Sequence, residues 1–130
     1  MRVLFCEDEP MVRKLIELSV RGTGHECRLA SGGAEALGLV RRWRPDVLVT
    51  DVAMPGMDGI ELASAVWADP ELRDLRVVFM TASVHRAAIE STAPRDRLAG
   101  HLRKPFGPAA LRALLDSLAG GQHCSPAPGP

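Results

Sequence analysis

Three separated points in the chain carry the parts of one anionic site. They are Glu7-Asp8 after the apolar run Val3-Leu4-Phe5-Cys6, Asp51 after Val47-Leu48-Val49-Thr50, and Lys104 before Pro105. A carboxylate trio beside one amine suits Mg²⁺-assisted phosphoryl chemistry. A hard divalent cation takes oxygen ligands and keeps several waters, so one or two carboxylates plus a substrate phosphate complete its shell. Asp8 and Asp51 fit direct ligation, and the longer Glu7 fits an outer role through water. Clustered carboxylates resist joint ionisation, so a cation would relieve a repulsion built into the site. The loop Val52-Ala53-Met54-Pro55-Gly56-Met57-Asp58-Gly59 can present Asp51 and offers the Ala53 carbonyl as a third ligand. Thr81, closing the run Val77-Val78-Phe79-Met80, can hydrogen-bond a phosphoryl oxygen.

Each of these residues also has an ordinary reading. Acids at Glu7-Asp8-Glu9 suit the positive end of a helix dipole, and Asp51 suits a turn or cap. Lys104 by itself is a solvated lysine, and Thr81 a β-branched strand residue. What argues for a common site is their order along five alternating units. Each apolar run is short and partly β-branched, hence a buried strand, and in an open parallel sheet ligands bind outside the strand C-termini.

The elements that must position these residues alternate strand with helix, the signature of an α/β domain with helices on both faces of a parallel sheet. Strands are predicted at Arg2 to Cys6, Glu26 to Ala30, Val47 to Thr50, Arg76 to Met80 and Ala99 to Leu102. A first helix follows Pro10, carries Val12, Leu15, Ile16 and Ser19 at helical spacing, and stops near Gly22-Thr23-Gly24. Ser31 is the expected cap of a second helix, with Leu37 and Val40 on its apolar side and an end before Pro45. Asp58 with Glu61 forms a capping-box pattern for a third, which should bury Ile60, Ala63, Val66 and Trp67 before Asp69-Pro70 halts it. A weakly apolar fourth helix is expected within Val84 to Ser91. A fifth, opened by Pro108, carries the stripe Leu111, Leu114, Leu115 and Leu118. From Gly120 the composition turns to Gly, Pro and Ser, so residues 120–130 read as a disordered tail or linker stub beyond a domain of residues 1–119.

The 130 residues suffice for one core. Sixteen basic and sixteen acidic residues leave no overall field to draw the chain to nucleic acid or an anionic membrane. No apolar stretch approaches a signal or a membrane span, and the expected location is cytoplasmic. The three cysteines, Cys6, Cys27 and Cys124, are too few and too scattered for a disulfide framework or zinc site. They read as free thiols, with Cys6 and Cys27 on neighbouring strands where oxidation could bridge them.

Taken together, Glu7-Asp8-Glu9-Pro10, Asp51 with Met54-Pro55-Gly56-Met57-Asp58-Gly59, Thr81-Ala82 and Lys104-Pro105-Phe106 resemble a response-regulator receiver domain of two-component signalling, whose simplest members are single-domain chemotaxis regulators. The resemblance spans about residues 1 to 119. It implies a flavodoxin-like, doubly wound five-stranded parallel sheet in order 2-1-3-4-5 with five helices. It also implies that Asp51 accepts a phosphoryl group from a kinase phosphohistidine. Asp8, Asp51 and the Ala53 carbonyl would hold Mg²⁺ with Glu7 assisting, Lys104 would neutralise a phosphoryl oxygen, and Thr81 would close onto another. Lys104-Pro105 would be cis, against the general preference for trans. The partners implied are a sensor histidine kinase or histidine phosphotransferase and an unnamed output protein, with a homodimer as a further option.

Two positions depart from the family pattern. His101 stands three residues before the lysine, where Tyr or Phe is usual and turns inward with the threonine; an imidazole there would make switching pH-sensitive. Glu7 replaces the commoner first aspartate. Ala53 and Ser83, two residues beyond Asp51 and Thr81, stand where family members flank the water path and would influence the rate of dephosphorylation. The leading functional expectation is a non-enzymatic phosphoacceptor that promotes its own phosphorylation and dephosphorylation, its surface around His101 switching with the modification. That surface would include Arg86, Arg95, Arg97, Arg103 and Arg112. The alternative is a phosphate shuttle in a multistep phosphorelay. An aspartyl-nucleophile phosphatase would need an acid or base at position 53, where Ala53 stands.

Overall fold

The protein is described from a computed structural model over residues 1–81 and 98–120. In chain order these form β1 (Arg2–Cys6), α1 (Pro10–Val20), β2 (Glu26–Ala30), α2 (Gly33–Trp43), β3 (Val47–Asp51), α3 (Gly59–Ala68), a 3₁₀ turn (Pro70–Leu72), β4 (Arg76–Thr81), β5 (Leu98–Arg103) and α4 (Pro108–Ala119). The helix expected within Val84 to Ser91, Ser83, the arginines 86, 95 and 97, and the tail with Cys124 lie outside the described residues. The strands form one parallel sheet in the order β2-β1-β3-β4-β5, as the resemblance implied.

Strand alternation divides the core in two. Leu4, Cys6, Leu48, Val77 and Phe79 face α2 and α3, where Ala36, Val40, Leu62, Ala63 and Val66 are buried. Val3, Phe5, Val47, Val49, Val78 and Met80 face α1 and α4, meeting Ile16, Leu111, Leu114, Leu115 and Leu118. Burying each such aliphatic or aromatic side chain contributes roughly 1.5–3 kcal/mol. The central strand β3 is buried along its whole length, whereas edge strand β2 alternates exposed with partly buried residues until the buried Ala30 at its end.

Three local expectations need correction, and one feature was not anticipated. Ser31 does not cap α2: the capping position is Gly32, and the Ser31 hydroxyl and amide both donate to Glu35 Oε1 at 2.9 Å. The helix begins two residues after the serine, where Gly33 lies against Met57 of the loop after β3. In α3 the fully buried residues include Leu62, while Ile60 and Trp67 are only half-buried, Trp67 edge-on to Phe79 at 6.4 Å. Cys6 and Cys27 cannot bridge. Val3 pairs with Cys27 and Cys6 with Ala30, so the two thiols are three residues out of register and belong to opposite faces of the sheet. Finally, β5 carries a bulge: Val77 pairs with Leu98 and Val78 with Gly100, with Gly100 at φ 150°. The extra residue resets the alternation, burying Ala99 and Leu102 and turning His101 outward.

Candidate phosphoacceptor site

Because every strand runs the same way, Cys6, Asp51, Thr81 and Arg103 end at one rim. The chain order reverses on either side of β1, so the crevice outside β1 and β3 is where an open sheet of this topology receives a ligand. Glu7 and Asp8 continue directly from β1, and Asp51 is the last residue of β3. One carboxylate oxygen from each of Glu7, Asp8 and Asp51 lies within 4.8 Å of the others.

Lys104 enters from the end of β5. Its ammonium donates to Glu7 Oε1 at 2.8 Å and to Asp51 Oδ2 at 3.0 Å. Its backbone N–H donates to the Thr81 carbonyl at 3.0 Å, and its bond to Pro105 is cis, as the resemblance implied. Thr81 is buried at the end of β4, one residue beyond Met80, the partner of Asp51 in the pairing of β3 with β4.

The environment is dry on one side. The Glu7 side chain is 1% exposed, Asp51 12% and Lys104 25%. Glu7 uses both oxygens, accepting from Lys104 and, on Oε2, from the Glu9 N–H at 3.1 Å. Burial raises the Glu7 carboxyl above the usual range, the hydrogen bonds from Lys104 and Glu9 opposing this and the charge of Asp51 adding to it. For Lys104, burial alone would favour the neutral amine, but the hydrogen bonds and charges of Glu7 and Asp51 prevail and hold the ammonium above its ordinary value. The cation therefore stays charged between two carboxylates.

This donor set fits a hard divalent cation. Asp8 is partly exposed and Asp51 has one oxygen outside the lysine contact, while both Glu7 oxygens already have partners, which agrees with an outer role for Glu7. Ala53 is exposed in the loop that follows β3. His101 is exposed on β5 opposite Phe79 and stands apart from the carboxylate cluster in sequence and in face.

Sequence reasoning missed three supports. Arg13 donates from Nη1 to the Glu7 carbonyl at 2.9 Å, fixing the turn between β1 and α1; a cation one turn into a helix that follows an acidic loop was a readable signal. Cys6 donates from Sγ to Met54 Sδ at 3.5 Å, seating the loop after β3 against the core. The Cys6 thiol is itself pushed up to about 12 by burial, so it acts as a packed apolar group. Gly33 is the third.

The sequence model of the response regulator receiver domain family matches residues 3–116. This chain belongs to that family. It is 34% identical over 119 residues to chemotaxis protein CheY-3 of Vibrio cholerae, covering 91% of each chain. It is 36% identical over 119 residues to response regulator MprA of Mycobacterium leprae, covering 91% of this chain but 50% of that protein. Among solved structures, the receiver domain of a sensor histidine kinase from Pseudomonas aeruginosa PAO1, with magnesium coordinated in its active-site cleft, superposes with a TM-score of 0.78 at 25% identity, covering 92% of this chain and 97% of that one. The protein is thus a receiver domain of two-component signalling, a signalling phosphoacceptor whose relatives include both stand-alone regulators and longer ones.

Proposed function

We propose that Asp51 is the phosphoacceptor and that Mg²⁺ is the cation required. The observation that carries this reading is the Lys104 ammonium held 3.0 Å from Asp51, with Asp8 and Glu7 alongside. Phosphoryl transfer asks mainly for in-line positioning and neutralisation of charge on the phosphoryl oxygens. When bound, Mg²⁺ supplies part of that neutralisation. Asp8, Asp51 and the Ala53 carbonyl would hold it, with Glu7 acting through water. Lys104 takes a second oxygen, and Thr81 a third once the group is in place.

In the transfer, an Asp51 carboxylate oxygen forms a bond to phosphorus as the bond to the donor nitrogen of a phosphohistidine, or to the oxygen of an acyl phosphate, breaks. No proton has to leave Asp51, so no general base is needed. The product is a mixed anhydride, which water later cleaves back to aspartate and phosphate; that self-dephosphorylation, its dependence on Ala53 and Ser83, and the switching roles of Thr81 and His101 belong to the same proposal. The partners are a histidine kinase or phosphotransferase and an output protein recognised by the altered surface, which includes the exposed Arg103 and Arg112. Among the described residues no helix is long and apolar enough to cross a membrane, and a cytoplasmic location is the reading we adopt. A phosphorelay shuttle has no observation of its own in its favour.

The test is incubation with Mg²⁺ and a small acyl phosphate, followed by intact mass and Phos-tag mobility. The wild-type chain should gain one phosphoryl group and Asp51→Asn none; equal labelling of the two would remove Asp51 from the role.

A further inference from the structure

We infer that Gly33 is a positioning residue for the loop that carries Ala53: its missing side chain lets the start of α2 press against Met57 and hold residues 53–57 in place. The inference rests on the metal-site reading above. An ideal Cβ built at Gly33 would fall 2.6 Å from the Met57 carbonyl oxygen, 2.8 Å from its Cβ and 2.9 Å from its Cγ. Those separations are shorter than packed atoms tolerate, and one of the three atoms is backbone, so the loop or the helix would have to retreat. Gly33 is the buried first residue of α2, and its φ lies outside the left-handed region that favours glycine. The residue is explained by the close approach and by nothing in its own conformation.

The rest of the loop is fixed at both ends. Met54 is buried and accepts the Cys6 thiol hydrogen; beyond the tip, Asp58 and Glu61 form a reciprocal capping box, and the Gly59 N–H donates to the Val52 carbonyl at 2.8 Å. Between these anchors, Pro55 and Gly56 are exposed and Gly56 adopts φ 75°. Met57 is where α2 backs that exposed tip. Through this contact a helix with no ligand of its own sets how firmly a carbonyl ligand is presented. Gly38, in the same helix, supplies a control: a Cβ there would meet Arg42 Nη1 at 3.3 Å, the free end of a flexible side chain.

The experiment compares wild type, Gly33→Ala, Gly38→Ala and Met57→Ala. Three readouts are taken: Mg²⁺ affinity by calorimetry, amide hydrogen exchange of residues 53–57 in metal-free protein, and the initial rate of labelling by acyl phosphate. A displacement approaching 1 Å can cost up to about 100-fold in rate, and the expected loss for Gly33→Ala is about tenfold. It should be accompanied by weaker Mg²⁺ binding and faster exchange in the loop, with Gly38→Ala unchanged. Wild-type Mg²⁺ affinity and wild-type exchange in a folded Gly33→Ala would overturn the inference. If Gly33→Ala does not fold, Met57→Ala decides, since it removes Cγ and the side chain beyond it from the contact while the Cβ and carbonyl oxygen stay: weaker Mg²⁺ binding upholds the inference and unchanged binding overturns it. A wild-type chain that binds Mg²⁺ but takes no phosphoryl group would sink the phosphoacceptor reading while leaving the Gly33 comparison decided by affinity and exchange.

Discussion

At the C-terminal rim of the sheet, Lys104 lies 3.0 Å from Asp51 and 2.8 Å from a Glu7 whose side chain is 1% exposed. At the opposite rim, Arg44 meets Glu71 at the same 3.0 Å, but with side chains 54% and 75% exposed. The residue types and the distance are alike, and the solvent is not. In water the Arg44–Glu71 attraction is screened and offset by side-chain ordering, whereas the ions at the C-terminal rim have lost much of their hydration and depend on one another. One end of the sheet carries a screened surface pair, and the other a cluster of partly desolvated charges.

The largest effect should come from removing the amine. Lys104→Ala leaves Glu7 and Asp51 facing each other, and truncating one partner of a buried ion pair costs about 3 kcal/mol, measurable by urea unfolding at pH 7. The double variant Glu7→Gln/Lys104→Met should recover part of that loss, because it removes the uncompensated charge as well; a double variant no better than the single would mean the burial argument is wrong.

A smaller effect is expected from pH, with a sign opposite to that of an ordinary paired carboxylate. The folded-state value of Glu7 is raised above 4.5, so the folded chain holds this proton more tightly than the unfolded one. Without Mg²⁺, the Glu7 contribution to stability is therefore greatest below 4.5 and is lost as pH rises through its folded value. Lys104, also raised, contributes fully below 10.5 and loses that contribution only as pH rises through its own folded value, so it does not interfere in the acidic window. Urea midpoints measured from pH 7 downward should rise for the wild type relative to Glu7→Gln, and Mg²⁺ affinity should fall over the same interval. Parallel profiles would show that Glu7 is not desolvated in solution.

The smallest effect belongs to the exposed pair. Arg44→Ala should change stability by no more than about 1 kcal/mol at low salt through its charge, and by less as salt is raised. A loss as large as that of Lys104→Ala would erase the distinction between the two rims.

Much of this was legible in the residues. Val47 to Thr50 has the length and branching of a buried strand and is one, extended by Asp51; Leu111, Leu114, Leu115 and Leu118 are all buried on α4; Asp58 and Glu61 make the capping box their spacing announced. Such patterns are local, and the physics that enforces them acts within one turn or one strand. Ser31 misled because it bonds to Glu35 and the helix starts only at Gly33, which packs against Met57, far away in the chain. The bulge at Gly100, which turns His101 outward, depends on the register of β5 against β4 and leaves no periodic trace.

By itself, then, the sequence determined the order of elements, the apolar faces and the set of ionisable groups, since these follow from periodicity and side-chain chemistry at short range. Tertiary structure alone decided that Glu7 is buried with both oxygens bound, that Cys6 and Cys27 face opposite ways, and that the start of α2 packs against Met57 in the loop after β3. Each of those facts depends on which distant atoms exclude water or occupy the same space, and that is a property of the packed sheet and helices that no stretch of chain possesses alone.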